Sequence, residues 1–263
     1  MNLAKKTGIA HMAHLSAIES HLLELLNVSA FDDYCPNGVQ VRGGEEVTTL
    51  VTGVSASVAL FEAALAHNAQ LIITHHGMFW NKDSRVVEGQ LKQRLKPLLL
   101  HDVTLMGFHL PLDAHPELGN NAQLLKMLEL EPGEPFAGYR GSALSRLGRW
   151  RTPRSAEQVK ALLVERLGAA GLFLEFGPEQ IQTVAICSGG APELIAEAQR
   201  AGADLYLTGE ASEPVYHFAQ EMGMHFVAAG HHSTERFGVQ ALGEHLAQEF
   251  GLTHHYVELN NPI

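Results

Sequence analysis

Apolar residues recur along this chain in two rhythms, and the switch between them marks its elements. Near the start, Leu15, Ile18, Leu22, Leu25 and Leu26 recur at helical spacing, which predicts an amphipathic helix. From Val47 the chain reads VTTLVTGVSASVALFEAALAHNAQLIITHHG. A short β-branched run leads through a Gly/Ser turn into an amphipathic helix. A small-residue break and a second apolar strand, Leu71-Ile72-Ile73, follow. That order predicts a βαβ unit.

The same grammar returns from Ile181, in IQTVAICSGGAPELIAEAQRAGADLYLTGEA. The two stretches align without a gap at an offset of 134 (181 − 47), placing Thr49 on Thr183, Leu60 on Leu194, Leu71 on Leu205 and Thr74 on Thr208. Further on, His109 falls on His231 and Asp113 on Glu235 at an offset of 122 (231 − 109). Each then leads into a predicted helix, at about residues 121–130 and 234–250. The expected fold is therefore α/β, built of two pseudo-symmetric modules from an internal duplication, residues 1–131 and 132–263. Residues 131–179 join the copies, with Pro132, Gly133, Pro135 and Gly138 marking a linker. A strand near 145–150 and a helix beginning at Ser155 follow. Ser155 and Gln158 fit a capping box, and Val159, Leu162, Leu163 and Leu167 form the helix's apolar stripe.

Composition narrows the function classes. A net charge of −11, from 18 basic and 29 acidic residues, is a poor field for a phosphate backbone, so nucleic acid is disfavoured as a partner. No stretch approaches the ~18 apolar residues of a membrane span, and Lys5 and Lys6 precede no apolar leader core. Two well-separated cysteines, Cys35 and Cys187, suit reduced thiols in a cytoplasmic protein. The chain has 16 histidines, more than any one site can use.

Three clusters stand out, each straight after a small apolar strand. They are Thr74-His75-His76-Gly77, His109-Leu110-Pro111-Leu112-Asp113 and His231-His232-Ser233-Thr234-Glu235. Imidazoles and carboxylates without cysteine are the donors that a catalytic site for one or two divalent transition metals needs. Ligands of α/β sheets gather beyond the carboxyl ends of the strands, so two modules packed about a pseudo-two-fold axis would bring both His-x-x-x-acid segments to one shared cleft, with Thr74-His75-His76-Gly77 completing it from the first half. Neighbouring side chains on a strand point apart, so His75 and His76 suit different ions of a pair. Pro111 argues for a loop over residues 109–113. His231 and Glu235 suit one face of a helix's first turn, where the carboxylate could bridge two ions. His109 and His232 are the candidates for proton transfer, and His115 is a weaker candidate for a supporting role. His11, His14, His21, His67, His101, His217, His225, His245, His254 and His255 lack the arrangement and read as surface or packing residues. Arg140, Arg146, Arg149, Arg151 and Arg154 read as a charge-protected strand edge ahead of a collar for a phosphorylated substrate.

Taken together, Pro36-Asn37-Gly38-Val39-Gln40-Val41, the three clusters, His115-Pro116-Glu117-Leu118-Gly119-Asn120-Asn121 and Thr208-Gly209-Glu210 resemble the YbgI-like family. Its members are named GTP cyclohydrolase I type 2 homologues or NGG-interacting-factor-like proteins. The resemblance covers nearly the whole chain, as one family-level domain over about 15–262. It implies a two-lobed α/β fold, a dinuclear metal site and a toroidal homohexamer. It also implies metal ligation by His75, His76, Asp113, His231 and Glu235, with Glu235 touching both ions. Fe, Mn, Zn, Co and Ni all suit such ligands. Two functions compete. One is a metal-dependent hydrolase acting on a small molecule, GTP or a related nucleotide or phosphate ester. The other is a metal-binding regulatory or scaffold protein without turnover.

Overall fold

The computed structural model describes residues 12–139 and 142–263. Lys5, Lys6, His11 and Arg140 lie outside the described residues. Two open sheets with helices packed against them form a mixed α/β fold.

The first sheet runs, edge to edge, Thr253–Tyr256, Thr49–Ser55, Leu71–His76, Thr104–Gly107 and Gly38–Val41. Its first four strands are parallel and the last is antiparallel. The second runs Leu172–Leu174, His225–Ala228, Leu205–Thr208, Ile181–Ile186, Arg146–Arg154 and Glu131–Pro132. Here three parallel strands are flanked by antiparallel ones. The central strands are continuous apolar runs because a parallel strand is covered on both faces. Leu71, Ile72 and Ile73 are fully buried, as are Leu205 and Tyr206.

Both sheets share one arrangement over four strands: an antiparallel edge followed by three parallel neighbours. The register repeats as well. Leu50 pairs with Leu71 and Val184 with Leu205, the same pairing moved along by 134 positions (184 − 50 and 205 − 71). They differ at the fifth position. The first sheet takes the C-terminal strand Thr253–Tyr256 in parallel, the second takes Arg146–Arg154 antiparallel.

Packing crosses the chain's midpoint in both directions. The helix His231–Phe250 buries Val239, Leu242 and Leu246 in one core with Leu50, Leu71 and Met106 of the first sheet. The helix Asn120–Met127 sends Leu124 and Leu125 into a core with Trp150, Val184 and Leu205 of the second. Where the two helices meet, a side chain at Gly238 would collide with Asn120, its Cβ falling 2.4 Å from Oδ1. The Gly238 N–H instead donates to that oxygen at 2.9 Å. A truncation such as Leu246→Ala in this shared core would cost about 2–5 kcal/mol.

Two local features refine the sequence reading. Ser155 and Gln158 form the capping box of the helix Ala156–Leu167. The expected loop at residues 109–113 is instead a one-turn helix, Leu110–Ala114, with Pro111 in its first turn. Proline's missing N–H is unneeded there, and its fixed φ suits a helix start, so the residue initiates the turn that it would interrupt further along.

Candidate metal centre

The carboxyl ends of Leu71–His76 and Thr104–Gly107, with the N-terminus of His231–Phe250, bring all five residues expected as ligands into one buried cluster. His75 is fully buried, and Glu235 and Asp113 are nearly so. His75 Nε2 lies 3.4 Å from Glu235 Oε1 and 3.6 Å from Asp113 Oδ2. His76 Nε2 and His231 Nε2 lie 3.1 and 3.2 Å from the other oxygen, Glu235 Oε2. Donor atoms bound to one ion at about 2.0–2.1 Å sit about 3.0–3.4 Å apart, so the cluster has the spacing of a ligand shell. Three groups could hold a metal ion: His75–Asp113–Glu235, His76–His231–Glu235 and His75–His76–His109. Glu235 is common to the first two, one oxygen towards each.

Two observations bear on whether the residues fit a cation. His75 Nε2 and Glu235 Oε2 are buried with no hydrogen-bond partner among the described residues. A buried polar atom left this way costs roughly 1–3 kcal/mol, and a cation bound in each of the two carboxylate-containing groups would relieve it. In addition, each imidazole is anchored through Nδ1, leaving Nε2 for the cluster. His75 Nδ1 meets the Phe108 carbonyl at 3.0 Å, His76 Nδ1 meets Ser55 Oγ at 3.0 Å, and His231 Nδ1 meets Glu210 Oε1 at 2.6 Å. Such outer partners fix the tautomer and ring orientation of metal-binding histidines. Asp113 Oδ1 accepts from Asn120 Nδ2 at 2.8 Å and from Ser188 Oγ at 3.2 Å, leaving Oδ2 for the cluster. Since Asn120 also accepts from Gly238, it ties Asp113 to the helix that carries His231 and Glu235.

The backbone makes room for the carboxylate. Gly189 adopts φ +69°, and a Cβ there would fall 2.2 Å from Glu235 Oε1. Only glycine combines that conformation with so close an approach.

Within the cluster, burial and neighbouring charges pull the titrating groups in opposite directions. Burial opposes charge on His75, but Asp113 and Glu235 outweigh it and raise the ring to about 9. Burial, with His75, His231 and His109 close by, depresses His76 to about 3 despite Glu235. His231 is raised to about 9, Glu235 and Glu210 overcoming its burial. Burial pushes Asp113 above the ordinary carboxylate range, while the histidines hold Glu235 well below it against the same penalty. A bound cation would take the place of the protons that these raised imidazoles carry, since a ligating imidazole is neutral.

His109 reaches the cluster in a different way. Its ring lies 5.1 Å from that of His75 and 5.8 Å from that of His76. Its Nδ1 bonds to Asp33 Oδ1 at 2.9 Å. Asp33 also accepts from the Leu110 N–H and from Asn37 Nδ2. Burial would raise its carboxyl, but the bonds from His109 and Asn37 bring it down to about 2. Asn37 accepts from the His109 N–H at 2.7 Å. His232 is not brought to the cluster. It turns towards Glu258, with Nε2 2.7 Å from Oε1. His115 instead accepts through Nδ1 from the N–H groups of Glu117 and Leu118.

Sequence reasoning missed Asp33, Ser55, Ser188 and Glu210. Glu210 carried a signal, since it stands at the repeat position of His76 (76 + 134), in the Thr208-Gly209-Glu210 segment that carries part of the family resemblance. A cavity of about 560 Å³ opens beside the cluster, lined by His76, His109, Asp113, His231 and Glu235, together with Tyr34 and Trp80. Of the described arginines of the basic run, Arg146 reaches the Ala114 carbonyl at 3.5 Å and the others pair away from the cavity. Arg149 bonds Gln182, Arg151 pairs with Glu131, and Arg154 pairs with Glu129.

Known proteins share this framework. The chain matches the family model described as Duf34/NIF3 (NGG1p interacting factor 3) over residues 13–262. A Yersinia pestis protein named GTP cyclohydrolase 1 type 2 homolog is 46% identical over 246 residues, covering 93% of this chain and 98% of the relative. An Escherichia coli K12 protein of the same name is 44% identical over 252 residues, with the same coverage of 93% and 98%. A solved structure described as protein ybgI, of unknown function, superposes with a TM-score of 0.91 at 43% identity, covering 95% of this chain and all of that one. A crystal structure from Thermus thermophilus gives a TM-score of 0.85 at 31% identity, covering 95% of this chain and all of that one. With relatives this similar along almost their whole lengths, the chain belongs to the Duf34/NIF3 family.

Proposed function

We propose that the protein is a dinuclear metal-dependent hydrolase acting on GTP or a related nucleotide or phosphate compound. The observation that carries this reading is the position of Glu235, whose two oxygens face two separate sets of donors. His75, Asp113 and Glu235 would hold one divalent ion, and His76, His231 and Glu235 the other. Ions held there supply Lewis-acid polarisation and a lowered pKa for water.

The protein's own groups supply the rest. Asp33 holds the His109 ring by Nδ1, which leaves Nε2 to take up or release a proton at the cavity wall. Asn120 and Ser188 keep Asp113 turned towards the cluster, and Glu210 does the same for His231. Leu110, Leu144 and Leu194 line the cavity and limit bulk water there. The names of the Yersinia and Escherichia relatives support GTP as the first substrate to try. A cytoplasmic protein assembled as a toroidal homohexamer completes the reading; light scattering should return six times the chain mass.

The test is to incubate metal-loaded protein with a panel of nucleotides and phosphate esters and follow products by chromatography. Metal-dependent turnover of at least one compound is expected. Two bound ions with no turnover across the panel would favour a metal-binding regulatory or scaffold protein.

A further inference from the structure

One wall of the cavity beside the histidine cluster is aromatic. The rings of Tyr34 and Trp80 lie 5.8 Å apart, inclined by 31°. Both meet His109 edge-on, at 4.9 and 5.4 Å, and Trp80 lies 6.0 Å from His76. Tyr34 is 42% exposed and Trp80 half-buried, so part of each ring stays open to the cavity that they line. The other lining is mostly apolar, with Leu144, Cys187, Ala191 and Leu194. Its polar side chains are largely engaged. Ser188 bonds Asp113, and Asn121 donates to the Leu144 carbonyl and accepts from the Ser188 N–H.

Charge narrows the choice of occupant. Among the described residues that line the cavity, none is lysine or arginine, while Asp113, Glu193 and Glu235 bring carboxylates. Arg151 and Arg154 border a separate depression with Glu129 and Glu131. Away from the cation positions, the cavity therefore repels a polyphosphate and offers an acceptor to ring N–H groups at Glu193. A flat apolar face and a volume of about 560 Å³ suit a small aromatic heterocycle.

We propose that the Tyr34–Trp80 wall is a stacking subsite for an uncharged planar heteroaromatic ring of about purine size, set against the histidine cluster, with any phosphates of the substrate outside the cavity. The proposal rests on the hydrolase reading for the fate of the ring, but binding can be measured without turnover.

The experiment titrates metal-loaded protein with guanine, guanosine, GTP, ribose 5-phosphate and inorganic phosphate, by calorimetry and tryptophan fluorescence. The chain has two tryptophans, and Trp150 is buried with its N–H bonded to the Leu128 carbonyl, so quenching reports on Trp80. Base and nucleoside should bind and quench, with GTP no tighter than guanosine. Trp80→Ala should weaken guanosine roughly 5- to 100-fold, the loss expected when a base-stacking aromatic is truncated. Trp80→Phe should recover most of that loss, and both variants should keep wild-type metal content. No ring binding by the metal-loaded wild type, or guanosine binding untouched by Trp80→Ala, would overturn the subsite. Binding led by ribose 5-phosphate or phosphate would overturn it too. A ring that binds with the expected Trp80 dependence and is never hydrolysed would sink the hydrolase reading alone.

Discussion

His109 and His231 stand at matching places in the two halves, yet the structure uses them differently. Each follows the third parallel strand of its sheet, and each has Nδ1 held by a carboxylate of its own half, Asp33 or Glu210. The strand registers Thr74↔Gly107 and Thr208↔Ala228 place Gly107 and Ala228 at equivalent positions, an offset of 121 (228 − 107). The histidines, however, are 122 apart (231 − 109). The added residue is Gly230, at φ +97°, which precedes the helix His231–Phe250. His231 therefore opens its helix, four residues before Glu235 and on the same face. His109 instead caps Leu110–Ala114 and is grouped with His75 and His76 without a carboxylate. One additional residue ahead of the helix separates a ring that faces Glu235 from one that lies beside the cluster.

The largest effect should come from the group that both sets of donors share. Glu235→Gln removes the charge facing His75, His76 and His231, and elemental analysis after dialysis should find both ions lost. His254, whose Nε2 bonds Thr52 Oγ1 at 2.8 Å, serves as the control. His254→Ala should leave metal content unchanged, and equal losses from the two variants would mean that the cluster is misassigned.

His109→Ala tests the other side of the comparison. It should keep both ions while lowering turnover by roughly 10²–10⁴-fold, as for a lost general acid–base group. If metal is lost instead, His109 is a ligand like His231 and the distinction drawn by Gly230 disappears. Glu210→Gln should have a smaller and more selective effect. With His231 less firmly oriented, affinity for the ion on His76 and His231 should fall roughly 10- to 100-fold while the other ion is retained. Competition with a graded chelator would read this, and equal weakening of both ions would argue against separate donor sets.

The smallest effect concerns Asp33. Its folded-state pKa, about 2, lies below the ordinary 3.8, so it stabilises the fold above about pH 4 and loses that contribution as pH falls towards 2. With the Asp33 side chain only 3% exposed, that lowered pKa is worth roughly 2 kcal/mol. Acid unfolding of metal-free Asp33→Asn should therefore show a shallower loss of stability over that window than wild type. Parallel curves would remove the His109–Asp33 bond from the account.

Much of this site was readable from the chain. Strand-end histidines and the (i, i+4) pair His231 and Glu235 follow from local periodicity, and the structure brings all five expected ligands together. The gapless repeat also anticipated the shared register of Leu50 with Leu71 and Val184 with Leu205. What escaped depends on contacts between distant segments. Asp33 reaches His109 across 76 residues, and no local pattern marks it. Pro111 reads as a helix breaker until its place in the first turn is known. The strand Thr253–Tyr256 is half-exposed and rich in histidine, so nothing in its own pattern assigns it to the first sheet.

The central claim is that Glu235 divides one cluster between two ions. The most direct measurement is anomalous scattering from crystals of protein purified without chelator, supported by elemental analysis of the same preparation. The account predicts two peaks per chain, one beside His75 and Asp113 and the other beside His76 and His231, each within bonding distance of a Glu235 oxygen. A single peak at full occupancy, with metal content of one per chain, would contradict it.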